Sequence, residues 1–226
     1  MKALLYKELK LAIHPMCYIF LFTFPLMVLI PKYPLGIGFI YVLSVYPILF
    51  LGANKGQQSN DLLFSVLLPI RKKDIVLARI ITLVIYQFAF ILLNALLIPF
   101  AYLIQQAMLN NGVKDVTNAG LSIKGYVSLI AFVLLGYSVA DLLYLCLYYR
   151  NGKSILLPTL LSIIGFAIYI SVVTIGLPYV PFYYDIFEGS GLPIQFVILG
   201  VSLLLYFLMH VLTFKISSKN LEKVDF

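Results

Sequence analysis

ILLPTLLSIIGFAIYISVVTIGL, residues 155–177, contains no charged side chain from one end to the other. A helix needs roughly 20 apolar residues to cross a hydrocarbon core of about 30 Å, so this stretch alone is long enough to span a bilayer. Working outward with charges as punctuation, the pattern repeats. One apolar run lies between Lys10 and Lys32, broken by Pro15, Pro25 and Pro31. A second extends from Tyr33 to Asn54, with Pro47 inside. A third follows Arg79 to about Ile104, with Pro99 near its end. A fourth fills the interval between Lys124 and Arg150, the uncharged stretch is the fifth, and a sixth runs from Pro193 to Phe214. The expectation is an all-α, polytopic membrane protein with six transmembrane helices in one domain, residues 1–226.

Composition agrees. Of the 226 residues, 62% are hydrophobic and 11% charged, and the mean hydropathy is +1.03. Soluble domains run nearer 45–50% apolar and about 25% charged. This excludes an ordinary soluble enzyme, a disordered chain and a secreted disulfide scaffold. About six spans use up the length, so chemistry that needs a folded aqueous domain falls to a partner. The net charge of +7 does not point to nucleic acid, because the Lys and Arg residues sit between apolar runs, as topology signals do. With the N-terminus inside, thirteen of the 16 basic residues fall in cytoplasmic segments; only Lys32, Lys114 and Lys124 lie outside. Both termini are therefore expected in the cytoplasm of a multi-pass cell-membrane protein. Cys17 and Cys146 form no CxxC and read as buried free thiols. No small-residue cleavage pattern follows the first run, so no removable signal is expected.

Four pieces do not span. Residues 1–15 alternate Lys2, Lys7, Glu8 and Lys10 with Leu4, Leu5, Leu9 and Ile13, the pattern of an amphipathic helix on the inner leaflet. Residues 55–74 form the sizeable cytoplasmic loop. Residues 105–123 form an outer loop with a turn signal at Asn110-Asn111-Gly112. Residues 178–192 form an outer segment rich in Tyr, Phe and Pro, suited to the headgroup boundary.

Few motifs suggest chemistry. Arg150-Asn151-Gly152-Lys153-Ser154 ends like a phosphate-binding loop, but Leu147 stands where the first glycine belongs, so the chain has no ATP site of its own. His14 and His210 lie near opposite ends, and no HExxH or paired-glutamate motif exists, so neither a metal centre nor an enzyme is expected. Asp141 is the one acid inside an apolar run. A mid-bilayer charge costs roughly 2.5–3.5 kcal/mol on insertion scales, so such groups pair or line a path. Arg79 lies at a similar depth. An ion pair between Arg79 and Asp141, fixing the third span against the fourth, is expected, with a substrate or proton path as the alternative. Gln87, Asn94 and His210 read as interhelical hydrogen-bonding groups.

The loop carries the strongest functional signal. Asn60 can cap a helix that Pro69 ends, with Asp61 at its positive end. At about 100° per residue, Leu62, Leu63, Val66 and Leu67 share one face, and Asp61, Phe64, Ser65 and Leu68 the other. A helix apolar on both faces at a membrane surface suggests a docked partner, with Phe64 as anchor.

Gln57-Gln58-Ser59-Asn60-Asp61-Leu62-Leu63, followed by Leu67-Leu68-Pro69-Ile70-Arg71-Lys72-Lys73-Asp74-Ile75-Val76-Leu77-Ala78-Arg79, resembles the ABC-2-type permease family of ATP-binding cassette transporters. Met1-Lys2-Ala3-Leu4-Leu5-Tyr6-Lys7-Glu8-Leu9 resembles that family's elbow helix. One departure is that the family often places glutamates where this loop has Gln57, Gln58 and Asp61. The resemblance implies a half-size transporter, with two permease subunits (identical or homologous) in the bilayer and two separate ATPase subunits that bind ATP with magnesium. Asn60, Asp61, Phe64, Ser65 and Leu68 would be the coupling contacts. It further implies that the outer segment forms a re-entrant gate containing Phe182, Tyr183 and Tyr184. The likeness extends to bacterial permeases that export amphipathic, cytolytic peptides. The competing classes are a stand-alone secondary transporter or channel, and an intramembrane enzyme.

Overall fold

The computed structural model describes residues 2–12, 15–29, 70–112, 123–151, 156–176 and 192–223. Among these residues every regular element is helical: α1 (Lys2–Lys7) continuing as a π-helical turn (Glu8–Ala12), α2 (Pro15–Thr23) continuing as a 3-10 helix (Phe24–Leu29), α3 (Lys72–Asn110), α4 (Ile123–Asn151), α5 (Leu156–Gly176) and α6 (Leu192–Glu222). The four helices α3 to α6 are each long and apolar enough to cross a membrane. The expected second span, residues 55–69 of the expected loop and residues 178–191 of the expected outer segment lie outside the described residues, whereas residues 72–74 of that loop form the first turn of α3.

Local chemistry explains the element ends. Pro15 opens α2, where a missing N–H is no loss, whereas Pro25 falls at the passage from α-helix to the tighter 3-10 form. Asp74 sits in the first turn of α3, where the helix dipole favours an acid. The other end of α3 closes at Asn111, whose N–H bonds back to Ala107 and Met108, and Gly112 then adopts φ +82°. That left-handed geometry suits glycine and realises the turn signal at this point.

Two helices overrun the apolar intervals that predicted them. Helix α3 starts at Lys72 rather than after Arg79 and continues past Ile104 to Asn110. Helix α6 continues past Lys215 to Glu222. Charges mark where hydrocarbon ends, but a helix satisfies its own backbone in water as well as in lipid, so nothing obliges it to stop there. At about 1.5 Å per residue the 39 residues of α3 extend roughly 58 Å, far more than the apolar core needs.

Helix α4 is the hub, packed along both α6 and α5, while α3 meets α6, α4 and the N-terminal helices. Leu134, Tyr137, Ala140, Asp141, Tyr144 and Leu145 of α4 are all fully buried. A methyl added at Gly136 would strike the Phe166 ring, and one at Gly165 would strike Leu143, so these two glycines let α4 and α5 approach closely. Helices α5 and α6 turn Leu160, Ile164 and Ile168, and Leu204, Leu208 and Val211, outward. In water that surface would be untenable; facing lipid it is the ordinary outside of a spanning helix.

Candidate functional site

The interior of α3 is a heptad seam. Val76, Ile80, Leu83, Gln87, Phe90 and Asn94 are buried at alternating steps of four and three, and Ala101 follows one heptad later. Two of those positions, Gln87 and Asn94, are amides. Helix α6 is more unusual: Ser202, Tyr206, His210, Thr213 and Ser217 are all buried, at steps of four, four, three and four. Its polar stripe faces protein while its leucines face out, the reverse of a soluble amphipathic helix.

Where these two seams meet α4, three side chains close a network around Asp141. Gln87 Nε2 donates to Asp141 Oδ2 at 2.8 Å, and Tyr206 Oη donates to Gln87 Oε1 at 2.5 Å. His210 Nε2 lies 3.0 Å from the same Oδ2, and His210 Nδ1 lies 2.9 Å from the Tyr206 carbonyl oxygen. Gln87, Asp141 and Tyr206 have no solvent exposure. A carbonyl oxygen can only accept, so Nδ1 carries a hydrogen. The Nε2–Oδ2 contact then also requires a proton between its atoms, because a bare imidazole nitrogen facing a carboxylate would set two acceptors together. The pair therefore holds one proton, as imidazolium with carboxylate or as imidazole with carboxylic acid. Oδ1 of Asp141 has no hydrogen-bond partner among the described residues.

A second buried ionic site joins the N-terminal segment to α3. Arg79 Nε donates to Glu8 Oε2 at 2.9 Å and Arg79 Nη2 to Oε1 at 3.1 Å, a two-pronged pair. The Tyr148 ring of α4 lies 5.9 Å from the guanidinium carbon, at the outer reach of a cation–π contact. Leu4 and Glu8, one helical turn apart, point the same way and are both buried. Tyr18 of α2 donates to the Leu9 carbonyl within the π-turn. Glu8 is thus not a headgroup-facing member of the lysine face, as the alternation of charges suggests.

The expected Arg79–Asp141 pair is corrected by these contacts. Asp141 binds Gln87, and Arg79 precedes Gln87 by eight residues, about 12 Å along the helix axis. Each ion has found a nearer partner, on α6 and on the N-terminal helix respectively. Both partners are visible in the sequence: His210 as a lone titratable group in an apolar run, Glu8 as the single acid among the N-terminal lysines. Charge depth alone could not match them, since it ignores which helices are neighbours. Asn60, Asp61, Phe64, Ser65 and Leu68, and the gate residues Phe182, Tyr183 and Tyr184, lie outside the described residues.

Further contacts tie the start of α3 to the end of α6: Lys72 Nζ donates to the Leu221 carbonyl at 3.4 Å, and Lys73 pairs with Glu222 at 3.3 Å. Among the described residues no group of three or more His, Cys, Asp or Glu could hold a metal ion. No family model, curated protein or solved structure matches this chain.

Proposed function

We propose that this chain is the transmembrane permease subunit of an ATP-binding cassette exporter, driven by separate ATPase subunits that bind ATP with magnesium. A second permease subunit, identical or homologous, completes the pathway, and the cargo class is an amphipathic peptide. Six spans, with an elbow helix before the first and a coupling helix in the loop at 55–74, belong to this reading, as do cytoplasmic termini.

The observation that supports it is the junction at the first turns of α3. Force applied to the loop at 55–74 enters the bundle at Lys72. Glu8–Arg79 makes the N-terminal helix follow α3, while Lys72 and Lys73 engage the last turn of α6. Helix α3 has no proline between its base and Pro99, so a push at its base tilts the part that carries Gln87 as one rod. The polar seam at Gln87, Asp141, Tyr206 and His210 is where α3 and α6 bear on α4, and hydrogen bonds there can exchange partners as the helices shift. Purification from native membranes tests the proposal. An ATPase subunit recovered in equal stoichiometry supports it, and transport by the chain alone in ATP-free liposomes overturns it.

One observation favours a second reading, a stand-alone secondary transporter. The proton held between His210 and Asp141 is the kind of intramembrane ionisable site that such proteins use to couple transport to a gradient. Proton uptake by liposomes containing the chain alone, driven by an imposed potential and lost in Asp141→Asn, would select it over the exporter.

A further inference from the structure

Between the last turns of α4 and α6 lies an open cavity of about 530 Å³ lined by Cys146, Leu147, Arg150, Ile216, Asn220 and Lys223. Its polar wall is cationic. Arg150 and Lys223 are both exposed, no carboxylate of a described residue lines the cavity, and neither side chain forms an ion pair with a described residue. Glu222, the neighbouring acid, pairs with Lys73. Asn220 directs its Nδ2 to the Cys146 carbonyl at 2.9 Å, which fixes α6 to α4 at the back of the cavity and leaves the amide oxygen to other donors. The opposite wall is apolar. Leu147 and Ile216 begin it, and exposed Leu212, Leu208 and Leu205 continue from Ile216 along one face of α6 toward the bilayer centre.

Two cations at the end of two spanning helices, above a leucine stripe that leads into hydrocarbon, match one kind of molecule in both halves. We infer that this cavity binds an anionic phospholipid, its phosphate between Arg150 and Lys223 and one acyl chain along Ile216, Leu212 and Leu208. Arginine meets phosphate oxygens with paired donors, and lysine adds a point charge. The charge pattern assigns this end to the inner leaflet, where acidic lipids attract basic side chains. A soluble phosphate would satisfy the cations but gain nothing from the stripe. A zwitterionic lipid would fit the stripe but bring its own cation to the site.

Native mass spectrometry of the full chain in detergent, titrated with phosphatidylglycerol, tests the assignment. One retained lipid per chain is expected. Arg150→Gln and Lys223→Gln should each weaken retention about fivefold, the effect of one cation at a lipid surface. Lys215→Gln, which removes the same charge from α6 outside the cavity, should leave retention within twofold. Millimolar inorganic phosphate and equimolar phosphatidylcholine should not displace the lipid. Displacement by phosphate would reassign the site to a free anion and overturn the lipid. Equal losses in Lys215→Gln and Lys223→Gln, or equal retention of phosphatidylcholine, would reduce the effect to general attraction and also overturn it. Folding of each variant is checked by its elution as a single species before titration.

Discussion

Two buried ionic pairs among the described residues have opposite character. Glu8–Arg79 joins a group that is always protonated to a carboxylate, and its two parallel bonds leave little freedom. His210–Asp141 shares a single proton between two groups that can each release it, with Gln87 and Tyr206 bridging to a third helix. The first is built to stay as it is. The second has two electronic forms of similar geometry and an unused carboxylate oxygen. The first sits where the N-terminal segment meets the base of α3, the second deep among α3, α4 and α6. A bundle held firmly at one end and adjustably at its centre can tilt as a unit while repacking inside.

The largest effect expected from breaking this contrast is at the rigid pair. Arg79→Gln leaves Glu8 buried without its cation, and removing one partner of a buried pair costs about 3–5 kcal/mol. Thermal unfolding of the purified variant in detergent should show that loss, and Glu8→Gln combined with Arg79→Gln should recover part of it. The same cycle run between Arg79 and Asp141 should be additive within about 0.5 kcal/mol, as for sites without a shared partner. Coupling between Arg79 and Asp141 that exceeds the coupling between Arg79 and Glu8 would reverse the assignment of partners.

At the adjustable pair the expected loss is smaller and the functional loss greater. Asp141→Asn cannot carry the proton shared with His210, so its amide group satisfies either His210 Nε2 or Gln87 Nε2 and gives up the other bond, about 1–3 kcal/mol for a buried group left unsatisfied. Replacing Asp141 and His210 together by leucine removes both ions, which in other proteins is often neutral for stability. The double variant should therefore fold about as well as Asp141→Asn, or better, and, if the chain transports as proposed above, fail to transport. Full transport by that double variant would show that the cluster only packs helices, and the contrast between the two pairs would lose its functional meaning.

Tyr206→Phe probes the bridge alone. It removes the hydroxyl that donates to Gln87 and should cost about 1 kcal/mol in the same unfolding assay, the net value of one neutral hydrogen bond. A loss as large as that of Arg79→Gln would mean that the central network is the rigid element after all.

How much of this was legible beforehand follows from what lipid does to sequence patterns. The uncharged interval at 155–177 and the charged ends of the neighbouring runs gave α4 and α5 almost to the residue, because the cost of a charge in hydrocarbon is large and local. The seam of α3 was harder to read. In water a buried stripe stands out against polar neighbours, but here Ile85, Leu92 and Leu96 on the outward face are as apolar as Leu83 and Phe90 inside. The polar residues carry the information instead. Tyr206, His210, Thr213 and Ser217 recur at helical spacing, and reading that stripe as the inward face would have placed His210 beside the bundle centre. What no such reading supplies is neighbourhood: α6 lies beside α4 although α5 intervenes in sequence, and α1 reaches α3 across the residues between Leu29 and Ile70.

The smallest effect belongs to Lys73 and Glu222, which meet at 3.3 Å with about half of each side chain exposed, 58% and 50%. Water screens such a pair and both long side chains lose freedom on meeting, so its contribution to stability is about 0–1 kcal/mol. Lys73→Gln should leave the unfolding temperature within error of the parent. Lys73 lies one residue beyond Lys72, whose ammonium reaches the Leu221 carbonyl, and together the two contacts join the base of α3 to the end of α6. If the chain is the exporter subunit proposed above, Lys73→Gln in complex with its ATPase should lower transport per ATP hydrolysed while stability is unchanged, and raising the salt should reproduce the defect in the parent, since salt screens an exposed pair. An unchanged ratio of transport to hydrolysis in Lys73→Gln would move the test of coupling to the buried Glu8–Arg79 pair, the other described ion pair near the base of α3.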